Sequence, residues 1–209
     1  FLMNDDQKLV YETALDLAAR ASGNKATDKK QVLIVEGGPG PGKSVVAINS
    51  LVDLTQRGCI AQYVSKNQAP RMVYAAQLKG SMAKSRIDNL FKGSASYTGM
   101  EESFFDALIV DESHRLIAKN RYNKASENQI KELIHAAKLT VFFIDEAQMV
   151  TWSDIGSKAE IHQWAESQGA EVSELALTSQ FRCNGSDGYL SWVDDALQVQ
   201  GTANPTLEG

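Results

Sequence analysis

A parallel α/β sheet of about five strands, with helices on both faces, is the fold class predicted by this 209-residue sequence. Three observations carry the prediction. Short apolar runs alternate with helix-like segments, a glycine-rich turn joins the first apolar run to the next helix, and two later runs end in adjacent acids, where parallel sheets place their ligands. The length, with 43% hydrophobic and 22% charged residues, suits one large globular domain over residues 1–209.

In chain order, Leu9, Val10, Leu15, Leu17 and Ala18 recur at near-helical spacing, which predicts a helix over residues 5–22 capped by Asp5 or Asp6 and ended by Ser22-Gly23-Asn24. Strand runs follow at residues 32–35, 60–64, 107–110, 140–144 and 172–177, with helix-like segments between most of them. Residues 93–99 read as a loop, and a polar insertion is predicted near 115–130. Phe142 and Phe143 belong to the sheet core.

The turn after the first strand is Gly-Gly-Pro-Gly-Pro-Gly-Lys-Ser, residues 37–44, and matches the phosphate-loop pattern G-x-x-x-x-G-K-[ST]. Small residues let backbone N–H groups curl around phosphate oxygens, the lysine reaches the outer phosphates and the hydroxyl ligates Mg²⁺. Gly38, Pro39, Gly40, Gly42, Lys43, Ser44 and Val45 are the expected nucleotide contacts, with Ser44 also a metal ligand. Gly38, Gly40 and Gly42 do not give the dinucleotide pattern G-x-G-x-x-G, and Pro41 removes one N–H donor from the cradle. No guanine-reading N-K-x-D segment is present.

Hydrolysis also needs a group for Mg²⁺ and a carboxylate that activates water. The run ending Val110-Asp111-Glu112 supplies both, with Asp111 assigned to the metal and Glu112 to the water. A second run ends Ile144-Asp145-Glu146-Ala147-Gln148, which brings Gln148 forward as a γ-phosphate sensor and Asp145 as a support for neighbouring groups. Further on, Arg182 closes a strand-to-helix turn, where a guanidinium can stabilise transition-state charge.

The net charge of −5 disfavours a dedicated polynucleotide binder, but the charge is uneven. Residues 139–209 hold 2 basic and 11 acidic residues, which leaves 19 and 15 for residues 1–138. Lys66, Arg71, Lys79, Lys84, Arg86 and Lys92 face one acid, Asp88, with Tyr74 and Phe91 interleaved, the pattern of either a strand-tracking surface or a solvated helix face. Trp152, Trp164 and Trp192 are expected in the core or at an interface. Cys59 and Cys183 lie far apart and outside any C-x-x-C pattern, and no apolar run reaches membrane-span length, so a cytoplasmic protein with free thiols and no membrane partner is expected. The polar, turn-rich end at 201–209 suggests an excised piece of a longer chain.

In order, these motifs resemble the first RecA-like domain of superfamily 1 helicases. Residues 37–44 resemble motif I, Ile109 to His114 a DEAH-type motif II, residues 142–148 motif III, and Leu177 to Arg182 motif IV. Asn4-Asp5-Asp6-Gln7 is similar to the glutamine motif, and Ser179-Gln-Phe-Arg-Cys-Asn-Gly-Ser-Asp187 is similar to a phrase of bacterial helicase-like ATPases related to the helicase part of Schlafen proteins. The resemblance covers about residues 4–200. It implies ATP and Mg²⁺ as ligands, Lys43, Glu112, Gln148 and Arg182 as catalytic groups, and Gln7 at the adenine. It also implies single-stranded DNA or RNA along Lys66 to Arg71, and a second RecA-like domain that this chain lacks, so that turnover by this part alone is slow. Ser113 replaces the alanine of motif II, and motif III lacks its Gly-Asp opening. The other reading of the same motifs is a nucleotide-gated regulatory ATPase that binds a protein partner without translocation.

Overall fold

The computed structural model describes residues 3–22, 29–40, 42–77, 84–118, 126–149, 151 and 153–178. Pro41, Lys79, Trp152, Arg182, Cys183, Trp192, residues 119–125 of the polar insertion and the side chains of Tyr74, Lys84 and Arg86 lie outside what is described.

Helix α1 spans Asp5–Ser22 and buries Val10, Ala14, Leu17 and Ala18 along one stripe. Its cap is Asn4 rather than Asp5 or Asp6. The Asn4 side chain accepts from the Gln7 N–H at 2.7 Å while the Gln7 side chain accepts from the Asn4 N–H at 3.2 Å, a reciprocal box that needs a carbonyl-bearing side chain three residues on. The remaining main elements are β1 Gln31–Glu36, α2 Lys43–Gln56, β2 Ala61–Ser65, α3 Gln68–Gln77, α4 Lys84–Leu90, β3 Phe91–Lys92, β4 Phe105–Asp111, α5 Gln129–Ala136, β5 Ala137–Ile144, α6 Lys158–Ser167 and β6 Glu171–Ala176.

The six strands lie in the order β3-β2-β4-β5-β1-β6, and every pairing is parallel. Successive residues of a strand point to opposite faces, and in β1, β4 and β5 both sets are mainly apolar and buried, as strands covered on both sides require. Leu33, Val35, Ile109, Val141 and Phe143 pack with α1, α2 and α4 on one face. Val32, Ile34, Val110, Phe142 and Ile144 pack with α5 and α6 on the other. The two phenylalanines are therefore core, one on each face. The domain is an α/β sandwich of the RecA-like phosphate-loop class, with the loop at the carboxyl end of β1.

Five of the strands coincide with the apolar runs, shifted by one to three residues at their ends. Ile60 stays outside β2 because its N–H bonds the Asp106 carboxylate at 2.8 Å. The sixth strand, β3, pairs Phe91 with Tyr63 and Lys92 with Val64. This overturns one expectation: Phe91 is buried with its ring centroid 5.6 Å from that of Tyr63, so it is not free to stack on a base. Residues 94–97 form a 3-10 turn that buries Tyr97, whose hydroxyl donates to Gln62 at 2.7 Å. Trp164 packs against the second core cluster with Lys131 5.6 Å above its ring. Among the described residues no helix is long and apolar enough to cross a membrane.

One close approach fixes the chain beside the motif at residues 109–114. Ile117 bridges Asp154, the Ile155 N–H donates to the Leu116 carbonyl at 2.8 Å, and a Cβ on Gly156 would lie 1.7 Å from the Ser113 carbonyl oxygen. Only glycine fits there. Gly156→Ala is expected to cost about 1–3 kcal/mol or more, read as a lower thermal unfolding midpoint; an unchanged midpoint would show that this packing is absent.

Candidate nucleotide site

The site is assembled at the carboxyl ends of three adjacent strands. Glu36 pairs with Ile144, and the next residue, Gly37, donates its N–H to the Ile144 carbonyl at 3.1 Å, so the phosphate loop leaves β1 pinned against the end of β5. Gly40 and Gly42 take φ of 102° and 82°, a left-handed conformation that strains any residue with a Cβ. At Gly42 the space is closed as well, since a Cβ would sit 2.4 Å from Gln7 Nε2. Helix α2 then starts at Lys43, with the N–H groups of Val45 and Val46 both 3.0 Å from the Gly42 carbonyl. Its first turn carries no acid, which leaves the positive end of the helix to an anion.

Lys43 is held by three acceptors. Its Nζ donates to the Gly37 carbonyl, to the Gly38 carbonyl at 2.6 Å, and lies 3.6 Å from Asp145 Oδ2. Asp145 is only 4% exposed and also accepts from Gln148 Nε2 at 2.6 Å, while the Gln148 N–H returns to the Asp145 carbonyl at 3.0 Å. The expected support role of Asp145 thus takes a definite form, in which one carboxylate ties the phosphate-loop lysine to Gln148.

Asp111 ends β4 at 2% exposure. A carboxylate so far from water needs partners, and it has two: the Tyr63 hydroxyl donates to Oδ2 at 2.7 Å and the Glu112 N–H to Oδ1 at 2.9 Å. Glu112 adopts φ 51°, ψ 44°, a left-handed conformation that costs roughly 1–2 kcal/mol in a residue with a side chain. Its Oε2 accepts from Asn67 Nδ2, two residues past the end of β2 and within the Lys66 to Arg71 segment that the resemblance assigns to the nucleic-acid strand; no role at the acid pair was expected of it.

A cavity of about 350 Å³ opens between these groups, lined by Pro39, Gly40, Gly42, Lys43, Ser44, Val45, Asp111, Glu112, His114 and Gln148. Nine of these were expected from the sequence, and His114 joins them. Gly38 contributes its carbonyl to Lys43. Gln7 does not line the cavity; it is 3% exposed and braces the loop from behind at Gly42. Arg182 lies outside the described residues. Mg²⁺ takes one or two protein oxygens and completes its shell with water and phosphate. The Ser44 hydroxyl and the Asp111 carboxylate, both lining the cavity, fit that need, and among the described residues no cluster of three or more acids, cysteines or histidines is arranged as a fully protein-bound metal site.

His114 is 3% exposed and its Nδ1 has no hydrogen-bond partner. Burial pushes the imidazole below the ordinary histidine value of 6.5; Lys43 and Arg115 add to this, and Asp145 and Asp111 oppose it. Below about pH 6.5 the unfolded chain therefore binds more protons at this position than the folded one, and stability falls with pH. The loss in unfolding free energy between about pH 7.5 and about pH 5.5 should be smaller in His114→Asn than in the unsubstituted protein. Equal losses in denaturant titrations would show that His114 does not titrate this way.

No curated protein matches the chain significantly. Among solved structures it is similar to a DNA replication initiation factor (15% identity, TM-score 0.45, covering 95% of this chain and 52% of that one) and to AMPPCP-bound DnaA from Aquifex aeolicus (15%, 0.46, 100% and 57%). It is also similar to the flagellar accessory protein FlaH from Methanocaldococcus jannaschii (15%, 0.42, 76% of each chain). The chain spans about half the length of the first two, and likenesses at these scores carry no inference about its chemistry. Residues 30–208 match the Schlafen group 3 DNA/RNA helicase domain, and the chain belongs to that family.

Proposed function

We propose that this domain binds Mg²⁺-ATP and hydrolyses it to ADP and phosphate within a helicase-like cytoplasmic protein acting on single-stranded DNA or RNA. The observation that carries the proposal is the meeting, in one cavity, of Lys43 and Ser44 from the start of α2 with Asp111 and Glu112 from the end of β4. A phosphate-binding helix terminus and an acid pair at a strand end serve together in phosphoryl transfer to water.

Lys43 and the first N–H groups of α2 bind phosphate oxygens; to do so Lys43 exchanges the loop carbonyls and Asp145 for phosphate. Ser44 and Asp111 would hold the metal, with Tyr63 fixing the direction of Asp111. Mg²⁺, when bound, neutralises charge on the β- and γ-phosphate oxygens. Glu112 takes the proton of a water whose oxygen bonds to the γ-phosphorus as the bond to the β,γ-bridging oxygen breaks. Gln148 at the cavity wall orients that water, and Arg182 supplies charge to the transition state. The family resemblance assigns Gln7 to the adenine; buried behind Gly42, it acts on the nucleotide through the loop that it braces. The family resemblance supports a second RecA-like domain of the same protein as the partner that completes the site.

Glu112→Gln should retain Mg²⁺-ATP binding and lower turnover by about a hundredfold or more, the contribution of a general base; normal turnover would remove Glu112 from the chemistry. Turnover of the intact protein should rise on addition of single-stranded DNA or RNA. Hydrolysis that depends on Lys43 but responds to neither polymer would favour the protein-gated switch.

A further inference from the structure

We infer that Asn67 restrains Glu112 and that polynucleotide bound along Lys66 and Arg71 releases the restraint. The inference rests on the proposed role of Glu112 as the water-activating carboxylate and adds how that role is regulated. Strand β2 ends at Ser65 directly opposite Asp111 on β4, so the two residues that follow it emerge beside the acid pair. Asn67 touches the segment after β4 directly, and Lys66 reaches it through Asp154. Asn67 Nδ2 donates to Glu112 Oε2, and Lys66 Nζ lies 3.5 Å from Asp154 Oδ1, whose other oxygen is 3.8 Å from Arg115 Nε. Two consecutive residues thus hold the chain at Glu112 and, through Asp154, three residues later at Arg115.

The placement of these groups separates control from chemistry. Glu112 lines the cavity, whereas Asn67 does not and is solvent-exposed. Its carbonyl accepts from Arg71 Nε at 3.2 Å, so Asn67 lies between two cations that a phosphate backbone can reach without entering the nucleotide cavity. Phosphate contacts position a strand through such side chains. Capture of a phosphate by Lys66 competes with Asp154, which keeps Arg115 and the Thr151 N–H as partners. The shift of the 66–67 turn draws the Asn67 amide off Oε2, and the carboxylate is then free to face the water.

The test is ATP turnover by the intact protein without polymer and with poly(dT) or poly(U). Asn67→Ala should raise the unstimulated kcat by about tenfold, the factor that corresponds to one hydrogen bond to a charged group. KM for ATP should stay constant and the ratio of stimulated to basal rate should approach unity. Asn67→Asp, which sets a like charge against Glu112, should act in the same direction. Because Asn67 is exposed, both variants are expected to keep the thermal midpoint. Unstimulated turnover equal to or below that of the unsubstituted protein in both variants would overturn the inference. If neither polymer stimulates the unsubstituted protein, the polynucleotide reading of function fails on its own, and a raised basal rate in Asn67→Ala still upholds the restraint.

Discussion

Parallel pairing of β4, β5 and β1 is the constraint on which the site depends. These three strands are neighbours in the sheet and end on the same side, so the residues leaving them, Glu112, Asp145 and Gly37, are brought together although they are distant in sequence. The bond from the Gly37 N–H to the Ile144 carbonyl extends that pairing one residue into the phosphate loop. The ion pair of Lys43 with Asp145 then crosses from one strand end to the next. Burial on both faces makes the arrangement rigid: Leu33, Ile109, Val141 and Phe143 on one side and Ile34, Val110, Phe142 and Ile144 on the other leave no slack for a slip of register.

Around that frame the buried polar groups form a connected set. Tyr63 donates to Asp111, Gln148 donates to Asp145 beside Lys43, and the Thr151 N–H donates to Asp154, with Lys66 and Arg115 as its ion-pair neighbours. Removing one partner from such a set leaves a carboxylate buried and unpaired, which is more costly than the bond itself. The left-handed conformation of Glu112 persists in this company because the chain on both sides of it is fixed, by β4 before and by Gly156 packed on Ser113 after.

Much of this was legible in the sequence, for physical reasons that differ between elements. Strands buried on both faces must be apolar throughout, so runs such as Val32 to Val35 and Val141 to Ile144 announce themselves. A phosphate cradle needs glycine where φ is positive, and Gly40 and Gly42 occupy such positions. Acids at the ends of buried strands are conspicuous against the apolar residues before them. What stayed hidden has no local signature. Strand β3 is two residues long, too short for a period. The contacts of Asn67 with Glu112, of Asp154 with Lys66 and Arg115 and of Gly156 with Ser113 join residues far apart in sequence, and nothing in Asn67-Gln68 or Ser153-Asp154-Ile155-Gly156 names those partners. The resemblance put Gln7 at the adenine, whereas its place behind Gly42 follows from the cap with Asn4, a geometric detail of the first turn of α1.

The most direct test of the account is a calorimetric titration of AMPPCP into the protein in the presence and absence of Mg²⁺, with Lys43→Ala in parallel. The account predicts binding of one equivalent that is strengthened by Mg²⁺ and lost in the variant. Metal-independent binding of equal strength in both proteins would contradict the assignment of the cavity at Lys43, Ser44 and Asp111 as a Mg²⁺-nucleotide site.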